Sequence, residues 1–148
     1  MDAVDQPPSI PAATVVVFRR AAGGGPPEIL MITRNRAMTF AGGMAVFPGG
    51  RVDPGDYELA RAIAVDLDSD EAAHRIAAMR ETLEETGLAI GLTTTPSADQ
   101  AITARKLLLE RGELGKAFKV AAALVQNKCV FSVASISSST APVPRSAR

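Results

Sequence analysis

Apolar residues recur at Ala72, Ile76, Met79 and Leu83, a spacing that follows the ~3.6-residue turn of a helix. The pattern predicts a helix over 70–86, with Ser69 or Asp70 as its N-cap and Asp70 and Glu71 at the positive end of its dipole. Gly87 fits the left-handed position just past its end. Upstream the pattern changes character. Residues 13–19 and 28–34 predict two strands forming a hairpin-like pair across the Gly- and Pro-rich loop 21–27, and 44–47 predicts a short third strand. A small helix is expected over 57–65, with Leu59, Ala62 and Ile63 inward. Downstream, 88–92 predicts a strand, Ser97 caps a helix over 98–111, and 130–136 predicts one more strand. Residues 1–11 are expected to form a flexible arm, and the Ser-, Pro- and Arg-rich run 137–148 a disordered basic tail. One α/β domain over 12–136 remains, with no internal repeat.

Composition narrows the range of functions. The chain has 148 residues, 47% of them hydrophobic, enough for a single domain with a real core. Sixteen basic residues balance 16 acidic ones, which argues against an electrostatic nucleic-acid binder. Tryptophan is absent and Tyr57 is the single tyrosine, so no aromatic platform for stacking bases is expected. The lone Cys129 excludes an intrachain disulfide and fits a reducing compartment. With one cysteine and one histidine, His74, no zinc site can be built. No apolar run approaches the length of a membrane span, and the acidic, Pro-bearing start is unlike a signal peptide. A cytoplasmic protein with no nucleic-acid or membrane partner is the expectation.

The chemistry is concentrated in the helix. Glu84 and Glu85 stand one turn beyond Glu81, and all three fall within an arc of roughly 100° on the side away from the apolar stripe. Like charges so placed repel, a cost that a divalent cation among them would remove. Arg80, between the stripe and the acids, is positioned to pair with a glutamate and fix its rotamer. Ahead of the helix, Phe47-Pro48-Gly49-Gly50 follows a short apolar run, and paired glycines let a backbone approach a ligand or metal closely.

Taken together, these residues resemble the signature of the Nudix hydrolase family. Gly50 matches its first glycine, and Arg80 through Leu88 match its second half at every fixed position, with Thr82 in an apolar slot. Asp56 stands where the family has glutamate, and an insertion at about 57–68 separates it from the helix. The resemblance runs from about Ala13 to Leu92. It implies a Nudix-type α/β/α sandwich with a mixed sheet, and a hydrolase acting on a diphosphate linkage with Mg²⁺, or Mn²⁺ in its place. The implied roles are metal binding by Glu84, Glu85 and the Gly50 carbonyl, and metal binding or base catalysis by Glu81. Arg80 would orient Glu81, and Arg34, Arg51 and Gly49 would contact a small-molecule diphosphate substrate. Arg34, Asn35, Gly43 and Asp53 further resemble the coenzyme A diphosphatase branch of peroxisomal type, although Thr39 stands where that branch often has arginine. The Trp-containing and Arg-Phe-Asp segments usual in that branch are missing, and no acid follows Leu114. The sandwich is therefore expected to be incomplete at its C-terminal end, which resembles a truncated or frame-shifted one. A non-catalytic relative that binds a nucleotide or a partner protein is the alternative.

Overall fold

The computed structural model describes residues 9–37, 42–63, 67–92 and 94–120. Thr39, Cys129, the strand expected at 130–136, the tail 137–148 and most of the N-terminal arm lie outside the described residues. Among these residues six short strands come first: β1 (Ala12–Thr14), β2 (Phe18–Arg19), β3 (Glu28–Ile29), β4 (Ile32–Thr33), β5 (Ala45–Val46) and β6 (Gly49–Arg51). Four helices follow: α1 (Pro54–Ile63), α2 (Ser69–Thr86), α3 (Ala98–Arg111) and α4 (Leu114–Val120).

The α/β class expected from the sequence is the one observed, and the described strands form three antiparallel pairs, β1–β6, β2–β3 and β4–β5. The two long strands expected at 13–19 and 28–34 are each split, because each changes partner midway. Ala13 faces Gly50 in β6, the Val15 N–H reaches the Pro48 carbonyl at 3.0 Å, and Phe18 faces Ile29 in β3. In the same way Ile29 serves β2, whereas Ile32 faces Val46 in β5. The Gly49–Gly50 pair is itself part of a strand, β6.

Helix α2 is the centre of the molecule. Its predicted stripe is buried as expected, but Ala73, Ala77, Ala78, Arg80 and Thr82 are buried too, so the helix is enclosed on more than one side. Small side chains permit this. Ala77 and Ala78 let β1 lie against the helix through Ala13 and Val15. Ala72, Ala73, Ile76 and Met79 pack with Ala60 of α1 and Phe118 of α4. Leu83 meets Ala104 and Leu108 of α3. Thr82, fully buried in its apolar slot, donates its hydroxyl to the Ala78 carbonyl at 2.7 Å and so buries no unmet polar group.

Several expectations are corrected in detail. The N-cap of α2 is Asp68, whose carboxylate accepts from the Asp70 and Glu71 N–H groups, one residue before Ser69. Ala60 rather than Ala62 is the buried alanine of α1, and α1 begins at Pro54, ahead of the expected 57. No strand forms over 88–92 beyond an isolated bridge at Leu92. Gly91 takes a positive φ of 71°, which interrupts an extended run, and Ile90 and Leu92 pack onto the core from a loop. Helix α3 has the expected bounds and a complete capping box between Ser97 and Gln100. Helix α4 was not anticipated from the sequence. Among the described residues no helix is long and apolar enough to cross a membrane.

Candidate active site

Two of the α2 glutamates, Glu81 and Glu84, are held by an arginine on their own helix. Arg80 donates through Nε and Nη2 to the two carboxylate oxygens of Asp56, at 3.0 and 2.9 Å. Its Nη1 reaches Glu81 at 2.9 Å and Glu84 at 3.3 Å, and Nη2 also donates to the Arg51 carbonyl at 2.9 Å. The Arg80 side chain is 9% exposed and that of Asp56 is fully buried. Burial opposes the positive charge of Arg80, but the hydrogen bonds and field of Asp56, with Glu81 and Glu84 behind it, hold its pKa above the ordinary value. The planar guanidinium suits this fork geometry, which lysine does not offer.

Asp56 is placed by the inserted helix. It sits in the first turn of α1, where its carboxylate also accepts the Asp53 N–H at 2.8 Å, closing that turn from within. The same side chain therefore stiffens the start of α1 and anchors Arg80. The sequence marked Asp56 as a departure. The structure makes it the arginine's bidentate partner across 24 residues.

Strand β6 brings the glycines against the acids. A Cβ on Gly50 would overlap the Glu81 carboxylate, which would have to move aside. A Cβ on Gly49 would overlap the Ala13 carbonyl across the β1–β6 pair. The Gly49 N–H donates to Glu85 at 3.2 Å. These contacts border a cleft of about 410 Å³, with Gly49, Gly50, Arg34 and Glu85 on its polar side and Met31, Val46 and Phe47 among its apolar walls.

Glu84 is raised above the ordinary glutamate pKa by burial, which outweighs the opposing charge of Arg80. Glu85 is raised by burial as well, against the Gly49 N–H, with Glu81 adding repulsion and Arg34 opposing it. Among the described residues no three His, Cys, Asp or Glu side chains are arranged to hold a metal ion. Glu81 and Glu84 turn to Arg80, while Glu85 turns to the Gly49 N–H. The donor chemistry nevertheless fits a hard divalent cation. Carboxylates on one helix face stand beside a strand whose Gly50 leaves no side chain in the way, and oxygen donors are what such a cation takes.

Of the residues singled out in the sequence, Arg80, Glu81, Glu84, Glu85, Gly49 and Gly50 are brought together. Arg34 lies on the cleft wall beside Glu85. Arg51 is exposed and contributes its carbonyl oxygen to Arg80. One contact was not foreseen at all. Arg105 of α3 donates through Nε and Nη2 to the Glu84 carbonyl, at 2.9 and 2.8 Å. Nothing in the local sequence announces a bond across 21 residues between helices.

The profile of the NUDIX domain matches residues 8–106, and the chain belongs to that family. A solved NUDIX hydrolase from Alicyclobacillus acidocaldarius is similar, with 30% identity and a TM-score of 0.59 over 80% of this chain. The match spans 56% of that protein's length. No curated protein matches the chain.

Proposed function

We propose that this protein is a divalent-cation-dependent hydrolase that cleaves the diphosphate linkage of a nucleoside diphosphate derivative, with Mg²⁺ as the working cation and Mn²⁺ able to replace it. The observation that carries this reading is the meeting of Glu81 and Glu85 with the bare Gly49–Gly50 backbone at the edge of a cleft, with Glu84 tied to Glu81 through Arg80. A bound divalent cation supplies charge neutralisation for the diphosphate and acidifies a water molecule. Glu84 and Glu85 are the proposed ligands, joined by the Gly50 carbonyl. Glu81, packed on Gly50, either joins them or accepts the proton of the attacking water. Arg80 holds Glu81 in place while Asp56 fixes Arg80. Arg34 and Gly49, both on the cleft wall, and the exposed Arg51 are the proposed contacts for a substrate phosphate. The apolar wall of Met31, Val46 and Phe47 suits the organic part of the substrate.

Coenzyme A and acyl-coenzyme A are the first substrates to test, because Arg34, Asn35, Gly43 and Asp53 resemble that branch. Nucleotide sugars and dinucleotides follow. The test is hydrolysis of this panel with Mg²⁺ or Mn²⁺, repeated with chelator and in Glu84→Gln and Glu85→Gln. Turnover should vanish with chelator and fall by at least about 100-fold in each variant. A specific observation favours a second reading, a non-catalytic module that binds a nucleotide or partner protein: Arg80 already engages Glu81 and Glu84. Tight nucleotide binding without turnover at any cation concentration would establish that reading instead.

A further inference from the structure

We propose that Arg105 is a positioning residue for the acidic cluster, acting through the backbone of α2; its link to catalysis rests on the functional reading above. The last turn of a helix leaves carbonyl groups without partners inside the helix. In α2 the Leu83 carbonyl receives the Gly87 N–H at 2.9 Å, and the Thr82 carbonyl, still inside the helix, also receives the Thr86 hydroxyl at 2.6 Å. The Glu84 carbonyl receives both Nε and Nη2 of Arg105. The first two fasteners come from α2 and its cap, whereas the third comes from another helix. Helix α2 has no basic side chain of its own in its last turn, so Arg105 also supplies the positive charge that the negative end of the dipole favours.

The fastened carbonyl belongs to the residue whose side chain is a proposed ligand, and the next residue carries another. Fixing that peptide fixes the directions from which Glu84 and Glu85 leave the helix. Arg105 is itself held firmly. Its stem lies over Gly87, with Cδ 3.8 Å from where a Cβ on that glycine would stand. Its neighbour Ala104 is fully buried against Leu83, so α3 cannot shift without opening the core. Arg105 touches neither the cleft nor a carboxylate in any contact described above, so its influence passes through the main chain.

The experiment compares the wild-type chain with Arg105→Leu and Arg105→Lys. Mn²⁺ affinity is measured by titration calorimetry, and amide hydrogen exchange is followed along α2. Arg105→Leu should bind Mn²⁺ about tenfold more weakly, the scale typical for partners standing behind metal ligands. Exchange should accelerate at residues 84–88 and stay unchanged near Ile76. Arg105→Lys, which keeps the charge but loses the fork, should fall between, and it decides the matter should Arg105→Leu fail to fold. Wild-type Mn²⁺ affinity in the variants overturns the proposal, whatever the exchange shows. Absence of Mn²⁺ binding by the wild-type chain sinks the functional reading separately, and exchange at 84–88 then decides alone whether Arg105 fastens the turn.

Discussion

Two arginine–carboxylate pairs in this molecule have the same chemistry and opposite circumstances. Arg19 and Glu28 meet at 2.5 Å across the β2–β3 hairpin, with side chains 81% and 53% exposed. Arg80 and Asp56 meet at 2.9 Å inside the protein, beside the proposed ligands. Water competes for the first pair and screens it, so little stability rests on it. The second pair has given up its hydration, so each charge depends on the other. The hairpin also leaves Phe18 and Ile29 largely exposed, whereas α2 encloses even its alanines. Burial, not the presence of an ion pair, separates a framework that fixes chemistry from a decorated edge.

The contrast breaks most sharply at Asp56. Asp56→Ala strands the Arg80 charge and removes the acceptor of the Asp53 N–H, and should cost about 3–5 kcal/mol in denaturant unfolding. Glu28→Gln should change the same measurement by less than about 0.5 kcal/mol. Equal losses at the two sites would refute the comparison.

A second test leaves the charges alone and disturbs their packing. Gly50→Ala places a methyl group where the Glu81 carboxylate lies. Displacing that side chain by about 1 Å should lower kcat by about 100-fold, a loss out of proportion to any change in unfolding. Wild-type kcat in this variant would mean that Glu81 needs no contact with β6.

The third test uses proton linkage. Glu84 and Glu85 both titrate above their ordinary value because burial disfavours their charge. Between the unfolded and the folded pKa the native chain therefore binds more protons than the unfolded one. Their contribution to stability is fully present below the unfolded value of about 4.3 and is lost as pH rises through the raised range. Without cation, the stability advantage of the Glu84→Gln/Glu85→Gln double variant over wild type should grow with pH across that window. Mn²⁺ at about 100 times its Kd should then stabilise wild type by about 2.7 kcal/mol at neutral pH and leave the double variant unmoved. Thermal unfolding against pH, with and without Mn²⁺, reads both effects. The smallest effect belongs to the hairpin again: Phe18→Ser should shift unfolding by no more than about 0.5 kcal/mol.

The helices were legible in the sequence because their signals are local. Periodicity gave the buried stripe of α2, Ser97 gave the start of α3, and Gly87 gave the end of α2. The glutamates and Arg80 were legible for the same reason, lying within a few residues of one another on one helix. The strands were harder, since a run such as 12–19 carries a single pattern while its backbone serves two partners in turn. Helix α4 spans seven residues with Gly115 among them, too short for periodicity to register. The contacts that set the site were the least visible. Asp56 to Arg80 and Arg105 to Glu84 join residues 24 and 21 positions apart, and each depends on how α1 and α3 settle on α2. Asp56 shows how a departure from an expected residue can still supply the same charge, once a helix carries it to the right place.

The pairing of β6 with β1 sets a rule for anyone redesigning the cleft beside Glu85. Thr14 faces Gly49, Ala13 faces Gly50 and Ala12 faces Arg51. Deleting or adding one residue between Val46 and Gly49 would slide this ladder by a single step and exchange its two faces. A residue with a side chain would then stand against the Ala13 carbonyl, which cannot yield, or against the Glu81 carboxylate, which would have to move. Substitutions around Phe47 are therefore open to exploration, but changes in length there are not.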